Sequence, residues 1–433
     1  MNSMASVTVP FEKRTLANGL DVIVHQDRRV PLVAVSVWYH VGSRNEQLGK
    51  TGFAHLFEHL MFEGSEHHRR SYFEPLQNAG GTLNGSTSAD RTDYWEVVPA
   101  EAARLALWME ADRMGWLLPA LTAENFETQR GVVLNERRQN YENKPYGLAQ
   151  FTLAKTLFPA GHPYSWPTIG ETADLLVASL DDVRGFFQRY YHPANASLVI
   201  AGDIGSAEAF GMAEDLFGSI PAGPRVEPVQ PTRLEARAQD VVLHDRVDLA
   251  RLYMSWPAPP LFADGDAELD LAADVLANGR TSRLYRRLVH DRRVATELAA
   301  SQSSRELVST FQVVATAAPG QSLETLRTAI VEEIDRLRQS GPDESDLARG
   351  RAQAEAAFVY RVQSIGGTGG RADQLNAYNV YQGRPDGFDA DLSRYLNATP
   401  DRVREAVSRW IDPDRATILS VLPMGQESEP AGA

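Results

Sequence analysis

At 433 residues the chain exceeds one ordinary hydrophobic core, so two or more domains are expected. A net charge of −14 argues against nucleic acid as a partner, and no run of 18 apolar residues offers a membrane span. The lack of cysteine removes disulfides and thiolate metal ligands. The stretch up to Leu20 has no apolar signal core, which points to the cytoplasm, or to the periplasm if a leader has been removed. After the Asn18-Gly19 turn, β-rich runs at 20–25 and 32–41 predict two strands, and a helix begins near Gly52. Residues 80–98 are β-prone after a Gly-Gly turn, 100–118 read as an amphipathic helix, and 121–140 read as a further helix with Glu124 and Glu127 near its start. A strand at 197–204 precedes another helix and the Pro-rich stretch 221–231, an extended linker. Strands at 240–243 and 250–256 follow, then helices at 267–276 and 282–288, so that the second half reads as a degenerate copy of the first. The expected organisation is 1–220, a linker at 221–235, a homologous half at 236–423 and a flexible tail at 424–433. The glycine run 366–370 lacks the Gly-Lys-Ser/Thr ending of a phosphate cradle and reads as a flexible hinge or loop.

The chemistry is concentrated in His55-Leu-Phe-Glu58-His59. On a helix, histidines at i and i+4 project from one face and can reach a single metal ion. Glu58 sits beside them, placed to act as a general base without serving as a ligand. This H-x-x-E-H order is the inverzincin signature. A hydrolytic zinc site needs a third protein donor, and Glu136 in the 121–140 helix shares a face with Gln129, Val132 and Val133. No second H-x-x-E-H occurs after the linker, where His244 and His290 are isolated.

These residues resemble the pitrilysin, insulysin and mitochondrial-processing-peptidase family, whose pattern is H-x-x-E-H followed after 76 residues by a glutamate ligand. Seventy-six residues lie between His59 and Glu136 here. Similar blocks recur at 52–62, 80–92, 162–170, 191–203 and 282–288. The resemblance implies an α+β fold of two homologous halves, each an antiparallel-rich sheet flanked by helices, which enclose a chamber together with a partner subunit. It implies a zinc-dependent endopeptidase: Zn2+ on His55, His59 and Glu136, Glu58 as base, and a peptide substrate held extended along an edge strand. Asn84 falls on the family's asparagine position, with Gly85 where alanine is usual and Ser86 next to it.

Two positions depart from the family pattern. Gln129 stands seven residues before the third ligand, where many relatives carry glutamate, and is expected to orient a histidine or water through hydrogen bonds rather than charge. Self-sufficient relatives also carry an arginine and a tyrosine seven residues apart in the later half. His290 and Thr296 fall there, Arg292 and Arg293 lie nearby, and no tyrosine follows before residue 307. The resemblance therefore implies a heterodimer with a homologous subunit that lacks the zinc motif but supplies arginine and tyrosine, with a homodimer as the fallback. The alternative reading is a non-catalytic or precursor-specific subunit of a larger assembly.

Overall fold

The computed structural model describes residues 8–230, 234 and 236–425. The start of the region expected to lack a signal, four linker positions, and residues 426–433 of the expected flexible tail lie outside the described residues.

The valine-rich segment Leu32–Tyr39 is buried along almost its whole length, as a central strand covered on both faces should be. It is β3 of a six-stranded sheet formed with β1 (Glu12–Thr15), β2 (Asp21–Gln26), β4 (Thr82–Thr87), β5 (Thr92–Pro99) and β6 (Ala196–Gly202). The order is β1-β2-β6-β3-β5-β4. Only β2 and β6 run parallel, and β4 closes one edge, paired to β5 alone.

A second sheet contains β7 (Gln239–Asp245), β8 (Arg251–Ala258), β9 (Ala295–Ser303), β10 (Ser309–Ala317) and β11 (Thr417–Pro423). Its order is β7-β11-β8-β10-β9, and again one pair, β7 with β11, is parallel. Without β1, the first sheet has the same order and the same parallel pair. The expected α+β fold of two homologous halves is therefore present, with the copy visible in topology.

By contacts the chain divides into two units. One comprises Met1–Asn135, Trp166–Val229 and Ala357–Ala390; the other comprises Glu136–Ser165, Gln230–Ala356 and Asp391–Ala433. In the first unit, helices Ala103–Trp116 and Ser206–Phe217 pack on the sheet, and helix Arg371–Gln382 packs on β3 and β6 through polar groups. Asn376 donates to the carbonyl of Ser36 at 3.0 Å, and the Trp38 indole donates to Asp373 at 2.8 Å. In the second unit the core is apolar, with Met254, Trp256, Phe311 and Val313 from the sheet packed against Leu326, Ile330, Val403 and Val407 from helices.

Three sequence readings are corrected. Residues 100–118 do not form one amphipathic helix: a 3₁₀ turn at Ala100–Ala102 leads into Ala103–Trp116, which is buried around most of its girth, including Glu110, Asp112 and Arg113. The predicted 282–288 helix is wound as a π-helix, Tyr285–Asp291. The glycine run is a tied loop, because the Gly369 amide donates to Asp373 at 2.6 Å, and a Cβ on Gly366 would meet Ala34 and Val97 at 2.7 Å.

Candidate metal centre

The motif forms the helix Phe53–Leu60, entered through Gly52 at φ +92°. Its N-terminal amides are claimed by a residue that the sequence reading did not single out. Glu46 accepts from Gly52 N and Ala54 N, both at 2.9 Å, and is 8% exposed. Burial pushes this carboxyl up to about 8, against the opposing pull of the backbone amides. Gly52 also meets the backbone of Gly170, itself at φ +82°, where a Cβ would come within 2.4 Å of Gly52 Cα. Leu56, Phe57 and Leu60 are buried on the inner face, with the Phe57 ring 5.2 Å from Tyr191 and 6.0 Å from Phe186. Burying this apolar stripe leaves His55, Glu58 and His59 on the half-exposed face.

The two imidazoles stand edge to face, 4.9 Å between centroids. Glu136 comes from helix Ala123–Arg137. The division between units falls between Asn135 and Glu136, inside a helix that is itself unbroken. Among the described residues, His55, His59 and Glu136 are the one group of three His, Asp or Glu side chains near enough to share a metal, their ligand atoms lying within 4.8 Å of one another. Burial first, then the neighbouring His59, lowers His55 to about 3 and keeps its imidazole neutral, the form that coordinates a cation. Two imidazoles and one carboxylate make a borderline donor set suited to zinc.

A cleft of about 390 Å³ opens beside this group. Glu58, His59 and Gln129 line one part of it, and Phe62, Glu63, Ser71, Phe73 and Asn84 the rest. Gln129 donates to Glu63 at 2.5 Å rather than to a histidine. Of the three edge-strand candidates, Asn84 reaches the cleft. Gly85 does not line it, and a Cβ there would meet Tyr94 at 3.0 Å and Phe62 at 3.2 Å, while the Ser86 hydroxyl is engaged with Asp93 and Arg91 at 2.6 Å each. Beneath the cleft, fully buried Arg113 bridges Glu96 and Glu110, and its guanidinium stacks 3.9 Å from the Tyr72 ring and 4.2 Å from that of Tyr94. In the other unit, His290 is exposed and bonded to Asp291, and Thr296 lies on β9 near Thr316.

The family model described as Insulinase (Peptidase family M16) matches residues 21–163, which hold the motif and Glu136, and the Peptidase M16 inactive domain model matches residues 178–354, where no such motif recurs. Zinc protease PqqE of Helicobacter pylori is 30% identical over 382 residues, covering 87% of this chain and 85% of that one. A crystal structure of a protease from Helicobacter pylori superposes with a TM-score of 0.88 at 26% identity, over 96% of this chain and all of that one. A Pseudomonas fluorescens structure described as a peptidase M16 inactive domain shares the fold, with a TM-score of 0.85 at 17% identity over 97% of this chain and all of that one. A duplicated sheet with one motif-bearing half, matched across nearly its whole length, places this chain in the insulinase family of zinc proteases, peptidase family M16.

Proposed function

We propose that the protein is a zinc-dependent endopeptidase in which His55, His59 and Glu136 hold the metal and Glu58 is the general base. The observation that carries this reading is the convergence of three donors within 4.8 Å, two of them on the helix that also presents Glu58 to the cleft. Zinc, when bound, would polarise the scissile carbonyl and make water more acidic. Glu58 would take the proton of the attacking water and return it to the leaving amine. The outer edge of β4, paired on one side alone, offers backbone amides and carbonyls to an extended peptide, with Asn84 at the cleft end.

Stabilisation of the oxyanion is the part this chain lacks in the later half. His290 and Thr296 stand where an arginine and a tyrosine would, and removal of one such donor in other enzymes lowers rate by about 10²-fold or more. We therefore propose a homologous partner subunit that has lost the zinc motif and supplies both groups, closing a chamber around the peptide; a homodimer is the fallback. The test is hydrolysis of a quenched-fluorescent peptide library by the zinc-loaded chain, alone and with a candidate partner, with Glu58→Gln as the blank. Glu58→Gln is expected to abolish cleavage with zinc still bound, and turnover by that zinc-loaded variant would reject the assignment. Robust cleavage by the chain alone would reject the partner requirement.

A further inference from the structure

Glu136 sits at a change of helical winding. Helix Ala123–Arg137 ends one residue after it, and the chain continues as a π-helical turn, Arg138–Glu142. Such wide turns are rare and recur at functional sites. Arg137 and Tyr141 anchor this one: Arg137 Nε donates to Glu142 at 3.0 Å, its guanidinium lies 4.9 Å from the Phe151 ring, and the Tyr141 ring packs against Phe151 at 4.7 Å. The segment that follows is tied as well. Tyr146 takes φ +60°, its amide donates to Asp245 at 2.9 Å, and its hydroxyl donates to the Leu249 carbonyl at 2.7 Å.

On this scaffold Glu136, Asn140 and Lys144 recur at intervals of four, the spacing that brings side chains together along a helix. Asn140 Nδ2 donates to Glu136 Oε1 at 3.3 Å, and Lys144 Nζ donates to Asn140 Oδ1 at 3.3 Å. A carboxamide can be turned either way, and its partners decide which. An ammonium has donors only, so Lys144 claims the Asn140 oxygen and turns Nδ2 towards Glu136. The lysine charge therefore reaches the carboxylate through a neutral amide. A lysine bonded directly to Glu136 would compete with a cation for it, whereas a polarised amide steadies the carboxylate and leaves its charge uncancelled. Asn140 and Lys144 are both exposed, so neither bond holds the core together.

We propose that Asn140, turned by Lys144, is a positioning residue for the third metal ligand: it holds Glu136 Oε1 and so presents Oε2 to the cation. The proposal rests on the reading of His55, His59 and Glu136 as metal ligands, and its test does not require turnover. Zinc affinity is measured on the full chain by competition with a chromophoric chelator, beside the melting midpoint of the zinc-free protein. Asn140→Ala is expected to weaken zinc binding by about tenfold or more, the scale seen when metal ligands elsewhere lose their outer partners, with the zinc-free midpoint unchanged. Lys144→Met is the sharper case. As a bare charge Lys144 repels a dication, and its removal should tighten binding; acting through Asn140, its removal should weaken it. In the Asn140→Ala background, Lys144→Met should bring no further loss. Arg138→Met removes an exposed cation of the same turn and calibrates the bare-charge effect, so it should leave binding unchanged or tighter. Wild-type affinity in Asn140→Ala, tighter binding in Lys144→Met, or a loss of affinity matched by a fall in the zinc-free midpoint overturns the proposal. Glu136→Gln keeps two failures apart. If it binds zinc as tightly as wild type, the ligand reading itself fails; if it loses zinc while Asn140→Ala does not, the role of Asn140 alone falls.

Discussion

At the residue scale, Glu46 caps the start of the helix that carries the H-x-x-E-H motif. A helix of eight residues has little intrinsic stability, and its first amides point at a buried carboxylate that satisfies two of them. Glu46→Ala is expected to lower stability by about 2 kcal/mol and to weaken metal binding, read together from the denaturant midpoint and the zinc stoichiometry after dialysis. Glu46→Gln keeps one acceptor and should lose less. The metal ligands permit a separate check. If His55, His59 and Glu136 hold zinc, saturating metal at about a hundred times its Kd adds about 2.7 kcal/mol to the folded state. The wild-type melting temperature should therefore fall on chelation, and that of His59→Ala should be nearly indifferent to chelator. Both histidines and Glu58 were legible in the sequence because their chemistry is local to two helical turns. Glu46 and Glu63 were not, because nothing in their spacing distinguishes a helix-capping or cleft-facing acid from an exposed one.

At the scale of elements, the seat of the metal helix is a close approach of two glycine backbones. Gly52 and Gly170 both adopt positive φ, and each occupies the space where the other's Cβ would stand. Gly170→Ala combines a left-handed backbone with a clash against main chain, and should cost about 3 kcal/mol or more, seen as a lowered unfolding midpoint with reduced zinc retention. Periodicity placed β2, β3, β6, β7, β8 and the motif helix to within a few residues, since apolar alternation and turn residues are local signals, whereas β1, β9, β10 and β11 were not read and 80–98 holds two strands, β4 and β5. It failed at Ala103–Trp116, where Glu110 and Arg113 are polar by type yet buried, paired with each other and with Glu96. A charge that finds its partner in the core is indistinguishable, in sequence, from one that faces water. The same limit hid the partner of Gln129, which lies 66 positions away.

At the scale of the whole molecule, the second half carries a half-buried acid whose carboxyl is shifted. Asp270 accepts from the Tyr395 hydroxyl at 2.7 Å, and burial, reinforced by Asp266 and Asp274, pushes its carboxyl up to about 7. Because this folded value lies above the unfolded one, near 4, the native state holds an extra proton between them. This contribution to stability is present at low pH, declines as pH rises from about 4 to 7, and leaves a poorly solvated charge as a liability above 7. Asp270→Asn retains an acceptor for Tyr395 and should flatten that slope, so the stability difference between pH 5 and pH 8 should change by about 1–2 kcal/mol relative to wild type in urea titrations. The sequence by itself determined the two-half α+β organisation and the H-x-x-E-H helix, because each is encoded in periodicity or fixed spacing along the chain, and the resemblance pointed to Glu136 as the third donor. Only the tertiary structure decided that 357–390 packs with the first sheet and 136–165 with the second, that Gln129 holds Glu63, and that Glu46 caps the metal helix. The physical reason is the same in each case: these contacts join segments whose separation along the chain carries no periodic signal, and what selects them is the burial and pairing available once both sheets have formed.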